Sequence, residues 1–174
     1  MVVAVVLAIL AALVVPRFGS VRRTEDRLAV DQIADLMRMW AYRNSVMTQQ
    51  VGIWRNGETG ILTLMIRDLD PDHPDEAPIW QHDRLSNEVR LPDTSTIIEV
   101  LIDGERQDVG NWFVQSNADG SRPRFEVAIN GAIGESRLIL EPFSSSVQRI
   151  APDGTTGARA PIDLDREIGE RTPW

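Results

Sequence analysis

The sequence predicts an α+β fold in which one long N-terminal helix packs on a small antiparallel β-sheet region. Three features indicate it: an unbroken apolar run at residues 1–15, an amphipathic stretch of helical period after it, and short segments of alternating pattern beyond residue 60. These segments are closely spaced and no helical crossover separates them, so antiparallel pairing is expected. The chain of 174 residues is long enough for one such domain.

The apolar run at residues 1–15 contains only Met, Val, Ala, Leu and Ile. A helix that is apolar on every face needs apolar cover on every face, which favours a membrane-type segment over a helix buried in this polar body. As a helix the run spans roughly 22 Å, whereas a bilayer core measures about 30 Å. Arg17, Arg22, Arg23 and Arg27 follow the run, and the positive-inside rule alone places them in the cytoplasm.

An amphipathic helix is predicted from residue 20 to about residue 51. Apolar side chains recur at helical spacing: Leu28, Ile33, Leu36, Met37, Trp40, Met47 and Val51. Polar side chains fill the other face: Arg27, Asp31, Asp35, Arg38, Arg43 and Asn44. Gly52 and the pair Asn56-Gly57 end the pattern, so the apolar run and this stretch are expected to form one helix of roughly 50 residues, about 75 Å long.

The rest of the folded part is predicted to be β-structure. Strands are expected at residues 61–66, 96–102, 111–115, 124–129 and 137–141. Turn signals separate them at Asp103-Gly104, Asp119-Gly120 and Asn130-Gly131. The intervening residues 68–87 are rich in proline and acidic residues and are expected to form a long structureless connection.

The predicted organisation has three parts. Residues 1–18 form an apolar helix of membrane type, and residues 19–151 form the folded domain. Residues 152–174 are poor in apolar side chains and are expected to be mostly disordered.

An acidic cluster in residues 68–76 is the first candidate binding site. Its side chains are Asp68, Asp70, Asp72, Asp75 and Glu76. The spacing of the first three resembles the start of a calcium loop, but His73 stands where an EF-hand needs glycine. A solvated acidic loop is therefore favoured, with a structural calcium ion as the alternative.

Little else in the sequence predicts chemistry. The formal net charge of -8 argues against nucleic-acid binding, and the absence of Cys excludes thiolate chemistry. His73 and His82 lie in the predicted loop without the spacing of a zinc helix, and no nucleophile or phosphate-loop motif is present. An enzyme is disfavoured, and no catalytic, cofactor or metal residue is assigned.

The tryptophans divide into two pairs. Trp40 and Trp112 fall on the helix stripe and in a strand, which predicts core packing. Trp54 and Trp80 fall in predicted loops, where either packing or a stacking platform for a ligand is open.

The residues 10–16, Leu-Ala-Ala-Leu-Val-Val-Pro, close an apolar helix that resembles the N-terminal helix of the type IV pilin and pseudopilin superfamily, with Pro16 at the position of its helix proline. The later pattern resembles the minor pseudopilin H domain of type II secretion. It comprises 97–102, Trp112-Phe113-Val114, Asp119-Gly120-Ser121, Phe125-Glu126-Val127 and 137–140. The calcium-binding half of the major pseudopilin is not recognisable.

The resemblance implies a structural filament subunit. Such subunits start with a basic leader, a Gly cleavage point and Phe-Thr-Leu-x-Glu, and we expect this cassette to precede Met1 in the native gene. The implied partners are other pilin-like subunits through the helix, an inner-membrane assembly platform and, before assembly, the lipid bilayer. The implied location is the inner membrane, with the domain in the periplasm. The alternatives are a membrane-anchored periplasmic ligand-binding module and an anchored hydrolase using carboxylates and His82.

Overall fold

A computed structural model describes residues 2–70, 73, 75–151 and 153–156 of the protein. Within these residues, one helix, α1 (Val2–Val46), precedes nine strands that form two antiparallel sheets. The predicted α+β fold of a long N-terminal helix on antiparallel β-structure is thereby confirmed. Within the described residues, no helix combines the length and apolar character needed to cross a membrane.

The helix α1 buries one face against the sheets from residue 26 onward. The apolar side chains buried on that face are Ala29, Val30, Ile33, Ala34, Leu36, Met37, Trp40 and Ala41. Of the predicted stripe, Ile33, Leu36, Met37 and Trp40 lie on this face, whereas Leu28 is 57% exposed. Leu28 precedes the buried Val30 by two residues, so its side chain lies about 200° around the helix from Val30 and points away from the sheets.

The helix ends at Val46, earlier than the predicted end near residue 51. Val51 instead begins the first strand, where its N–H donates to Ser116 Oγ at 2.9 Å and its carbonyl accepts from Ser116 N at 2.8 Å. Trp40 Nε1 donates to the same carbonyl at 3.0 Å. Pairing with neighbouring strands therefore overrides the helical spacing that Val51 shows in sequence.

The first sheet has four strands. They are β1 (Val51–Arg55), β2 (Leu62–Asp68), β3 (Ile79–His82) and β6 (Trp112–Gln115), in the spatial order β3-β2-β1-β6. The strand β3 lies inside residues 68–87, so the prediction of a wholly structureless connection there was wrong. A four-residue strand gives little periodic signal, and β3 is defined by its pairing with β2, which joins Met65 to His82 and Asp68 to Ile79.

The second sheet has five strands. They are β4 (Thr96–Ile102), β5 (Glu105–Arg106), β7 (Phe125–Gly131), β8 (Gly134–Leu140) and β9 (Val147–Ile150), in the spatial order β5-β4-β7-β8-β9. The predicted turn at Asp103-Gly104 joins β4 to β5, with φ of 51° and 83° at the two residues. Two consecutive positive φ values are what a tight hairpin turn of this type requires.

The hairpin between β7 and β8 turns at Ala132 and Ile133, not at the predicted pair Asn130-Gly131. Gly131 is the last residue of β7 and pairs with Gly134. Its lack of a side chain serves a close approach, because a Cβ there would lie 2.7 Å from Asp26 Oδ2 of α1. Glycine is therefore needed at position 131 because α1 passes close to it, and not because the hairpin turns there.

The core is shared by α1 and both sheets. Trp40 and Phe125 meet edge to face with ring centroids 5.9 Å apart, and Trp112 packs on Phe125 at 5.2 Å. Trp40 and Phe125 are fully buried, and Trp112 is 5% exposed. The predicted core role of Trp40 and Trp112 therefore agrees with their positions.

Beyond β9 the described chain turns back on that strand. Ala151 N donates to Thr155 O at 3.0 Å, and Thr156 forms an antiparallel bridge with Ile150. The other residues of the predicted tail, 152 and 157–174, lie outside the described residues.

Candidate functional site

The point where α1 leaves the folded domain is marked by a buried carboxylate. Asp26 is 1% exposed, whereas the four preceding residues, 22–25, are exposed. Its Oδ1 accepts hydrogen bonds from Thr94 Oγ1 at 2.7 Å and Ser95 Oγ at 2.6 Å, and its Oδ2 accepts one from Ala132 N. The donors come from the segment before β4 and from the β7–β8 turn, so one side chain connects α1 to two parts of the second sheet.

The donors around Asp26 favour its charged form. Burial is the largest single influence and raises the pKa of Asp26, but the hydrogen bonds from Ser95, Thr94, Ala132 and Ile133 outweigh it together. The pKa therefore lies below the ordinary value of an aspartate. At neutral pH the cluster holds a buried anion whose lone pairs are satisfied by hydroxyl and backbone donors.

A second polar contact fixes the other end of the helix. Arg43 Nη2 lies 3.0 Å from Asp83 Oδ2 and 3.2 Å from Asp83 Oδ1, and the Asp83 side chain is 5% exposed. Asp83 directly follows β3, so this ion pair ties α1 to the first sheet. Asn44 Nδ2 adds a bond to Gly120 O at 2.7 Å. Arg43 and Asn44 were predicted on the polar face, and the structure shows that both contact the domain.

A buried guanidinium lies against the central tryptophan. Arg122 Cζ is 5.7 Å from the ring centroid of Trp40, and Nη2 donates to Ser144 O at 2.7 Å. Among the described residues, Nη1 has no hydrogen-bond partner. Burial lowers the pKa of Arg122 from its ordinary value. The ring face of Trp40 and the Ser144 carbonyl partly compensate this charge.

The acidic cluster does not assemble into a metal site within the described residues, where no three His, Asp or Glu side chains meet closely enough to hold an ion. Asp68 Oδ1 accepts from Leu69 N at 2.8 Å, and Asp70 Oδ2 lies 3.4 Å from His73 Nδ1. Asp72, one of the candidate ligands, lies outside the described residues. Calcium binding therefore stays the untested alternative to a solvated acidic loop.

The two histidines are kept apart by the fold. His73 follows β2 in the connection and contacts Asp70, whereas His82 is the last residue of β3 and lies 3.7 Å from Glu88 Oε1. The prediction that His82 lies in a loop was wrong, because β3 pairs with β2 at this point. Neither histidine is brought to a nucleophile among the described side chains.

Trp54 and Trp80 lie in strands β1 and β3 and not in loops, because these strands pair with β2. Both rings are half-buried on the outward face of the first sheet, where Trp80 meets Phe113 edge to face at 4.8 Å. Phe113 in turn lies over Gly52, where a Cβ would approach its ring to 2.8 Å. The structure therefore brings Trp54 and Trp80, which had been predicted in loops, to one face together with Phe113, which had been predicted in a strand.

The outward face of the second sheet carries charged side chains that form ion pairs, and not aromatic rings. Glu99 pairs with Arg106 at 2.5 Å and with Arg137 at 2.9 Å, and Arg137 also reaches Glu126 at 3.6 Å. Hydrogen bonds from Arg106 and Arg137 hold the pKa of Glu99 below its ordinary value. Arg124 extends the network from Glu126.

The exposed face of α1 is partly apolar. Leu28, Met39, Tyr42 and Val46 lie on the side away from the sheets, at exposures between 37% and 59%. Elsewhere, the loop residues Leu85 and Phe143 are 78% and 93% exposed. Apolar side chains in water are typical of protein surfaces that bind partners, although single ones are common on any surface.

Sequence reasoning missed Asp26 although a signal was present. Asp26 precedes Val30, Ile33, Met37 and Trp40 at steps of four, three, four and three residues, so it occupies the apolar stripe of the helix. A charged residue on such a stripe indicates a buried polar contact. Its partners could not be found in the same way, because they lie 68 to 106 residues away in sequence.

A single long N-terminal helix packed on small antiparallel sheets is the architecture of pilin-like proteins. No protein-family model matches the sequence, and no curated protein matches it.

Among solved structures the chain is similar to the minor pseudopilin EpsH from the Type 2 Secretion System of Vibrio cholerae. The similarity covers 74% of this chain and 98% of EpsH, with 16% identity and a TM-score of 0.51. A second structure of the same protein gives 14% identity, 76% and 94% coverage and a TM-score of 0.45. The fold of this chain is thus that of a minor pseudopilin, as the resemblance predicted.

Proposed function

We propose that this protein is a minor pilin-like structural subunit of a type II secretion pseudopilus or a type IV pilus filament. The observation that carries the proposal is the division of α1. The part from Asp26 to Val46 packs on a domain with the fold of EpsH, whereas residues 22–25 are exposed and the helix continues from there to its start at Val2. An apolar helix that extends from a small domain can pack against the helices of neighbouring subunits.

In this role the apolar residues 1–15 anchor the subunit in the inner membrane before assembly and contact other subunits afterwards. The folded domain lies in the periplasm, and an inner-membrane platform inserts the subunit into the filament. Cleavage and methylation of the N-terminus by the pilin-processing machinery belong to the same proposal. The subunit makes and breaks no covalent bond itself, because the fold that it shares with EpsH is that of a structural subunit.

The first test is the native gene. Sequencing the roughly 60 to 90 nucleotides before the Met1 codon reveals whether a basic leader ending in Gly-Phe-Thr-Leu-x-Glu lies in frame. This cassette is expected for a processed filament subunit. A stop codon or unrelated sequence there would argue for an uncleaved anchor and against the filament role.

The second test locates the partners. A photo-crosslinking amino acid is placed at Ala8 in the apolar run, and in a matched variant at Gln148, which is exposed on β9. The Ala8 variant is expected to crosslink to other pilin-like proteins in the membrane fraction, identified by mass spectrometry, whereas the Gln148 variant is expected to crosslink to them much less. Equal crosslinking at both positions would contradict packing through the helix.

A second candidate function is a membrane-anchored ligand-binding module, and the aromatic face of the first sheet favours it. Trp80 and Phe113 are in contact, and Trp54 lies in the adjacent strand with Nε1 bonded to Asn111 Oδ1 at 3.3 Å. Half-buried rings can stack on sugars or peptides, but here the rings also cover the sheet and each other. This function predicts that Trp80→Ala abolishes ligand binding while helix crosslinking at Ala8 is absent.

A further inference from the structure

We propose that Asp26 is a positioning residue for assembly: its hydrogen-bond cluster fixes the direction in which α1 leaves the domain. This inference rests on the proposed filament function, because the direction of α1 matters for assembly only if the helix packs against neighbouring subunits. Asp26 is the first described side chain of α1 that is buried, and the next buried ones, Ala29 and Val30, are apolar. Its hydrogen bonds therefore connect α1 to the second sheet directly after the exposed residues 22–25.

A small rotation of α1 at Asp26 causes a large displacement at the N-terminal end of the helix. Residues 2–25 of α1 extend beyond Asp26, and at 1.5 Å per residue they span about 36 Å. A rotation of about 10° at Asp26 displaces the far end by about 6 Å, which is more than the rise of one helical turn. The apolar face of α1 constrains such a rotation through packing alone, whereas the hydrogen bonds of Asp26 also lose strength when their angles change.

The donors constrain Asp26 from two sides. Thr94 and Ser95 hold Oδ1 from the segment before β4, and Ala132 N holds Oδ2 from the β7–β8 turn. Gly131 leaves the space that the carboxylate occupies. The helix can therefore neither slide along its axis nor tilt without breaking a bond to one of two separate structural elements.

The direct test measures the helix direction in the purified full chain in detergent. The protein has no Cys, so Ala4→Cys near the N-terminal end of α1 and Ser145→Cys at an exposed position before β9 allow spin labelling at two sites only. Pulsed electron paramagnetic resonance is expected to give one narrow distance distribution. Asp26→Asn replaces one carboxylate oxygen by an amide N–H₂, so either the two hydroxyls or Ala132 N lose the acceptor that they bind. The variant is expected to broaden the distribution at least twofold.

The matched control is Asp35→Asn. Asp35 lies on the same helix with its side chain 71% exposed, and its ion pair joins it to Arg38 on the same helix. This variant is expected to leave the distance distribution unchanged. An unchanged distribution in Asp26→Asn, or equal broadening in Asp35→Asn, would overturn the proposal.

A second variant covers the case that Asp26→Asn does not fold. Gly131→Ala keeps the charge of Asp26 but places a Cβ 2.7 Å from its Oδ2, so the carboxylate must move. It is expected to broaden the same distribution. A narrow distribution at the wild-type distance in folded Gly131→Ala would also overturn the proposal.

The assembly readout uses the crosslinks at Ala8. Asp26→Asn is expected to lower their yield about tenfold, and Asp35→Asn is expected to leave it unchanged. Wild-type yield in folded Asp26→Asn would overturn the role in assembly. Absence of these crosslinks in the otherwise unaltered chain would count against the proposed function, whereas the distance measurement would still decide whether Asp26 fixes the helix.

Discussion

The two parts of α1 meet different surroundings although they form one continuous helix. From Asp26 to Val46, side chains on one face are buried against both sheets, and polar contacts fix both ends of this part. We call residues 26–46 the docked segment and residues 2–25 the leading segment. Arg22, Arg23 and the next two residues of the leading segment are exposed, immediately before the docked segment begins.

The difference shows how one helix can satisfy two requirements. The docked segment alternates apolar and polar side chains at helical period, because only one of its faces meets the domain. In the leading segment, residues 2–15 are apolar at every position, so apolar and polar side chains do not alternate there. The boundary is marked by Asp26, whose hydrogen bonds are directional, and not by a glycine or proline at that position.

The largest expected effect comes from the centre of the docked segment. Trp40→Ala removes a fully buried ring that packs on Phe125 and bonds to the Val51 carbonyl. We expect a loss of about 3–5 kcal/mol in the free energy of unfolding, measured by urea denaturation. Trp40→Phe, which keeps an aromatic ring, should lose less. Similar small losses for both would mean that the docked segment contributes little to the core.

The next effect concerns the start of the docked segment and depends on pH. Asp26→Asn should cost about 2–3 kcal/mol at pH 7, because the amide keeps only one of the two oxygens that accept hydrogen bonds and the buried charge is lost. The pKa of Asp26 is lowered in the folded protein, so its charged form stabilises the fold above the ordinary aspartate pKa of about 4. That contribution is lost as the pH falls through the folded-state pKa.

Urea denaturation of wild type and Asp26→Asn at several pH values between 7 and 3 measures this dependence. The difference between the two proteins should shrink below about pH 4. A difference that stays constant over the whole range would show that the charge of Asp26 is not what the cluster stabilises.

A smaller effect is expected at the end of the docked segment. Arg43→Ala breaks the ion pair with Asp83, which keeps its hydrogen bond from Leu85 N at 3.0 Å. We expect a loss of about 1–2 kcal/mol, below the full cost of an unpaired buried charge. Arg38→Ala is the control, because its pair with Asp35 is exposed and should be worth less than about 0.5 kcal/mol. Equal losses would mean that burial does not distinguish the two pairs.

The regularly repeating features of the fold could be predicted from sequence. The strand at Thr96–Ile102 matches its predicted bounds, and Asp103-Gly104 forms the predicted turn because the pair accepts positive φ. Leu36, Met37 and Trp40 are buried as the helical period predicted. In each case a local pattern carries the information.

Other features depend on contacts distant in sequence. Val51 fits a helical stripe, yet strand pairing with Ile66 and hydrogen bonds with Ser116 decide its conformation. Short strands such as β3 give too little period to be seen. For the candidate site, the anomaly of a charge at Asp26 is visible in the sequence, but its donors are brought together only by the fold.

The smallest stability effect is expected on removal of the first part of the leading segment. A chain of residues 19–156 keeps Asp26, the docked segment, both sheets and the turn that pairs Thr156 with Ile150. Its free energy of unfolding should match that of the full chain within about 0.5 kcal/mol, measured by urea denaturation in the same detergent. A loss above about 1 kcal/mol would show that residues 1–18 stabilise the domain. The same chain lacks the apolar part of α1 that is proposed to pack against other subunits, so it should no longer be incorporated into filaments. A stable but unincorporated chain would show that one part of α1 serves folding and the other serves assembly.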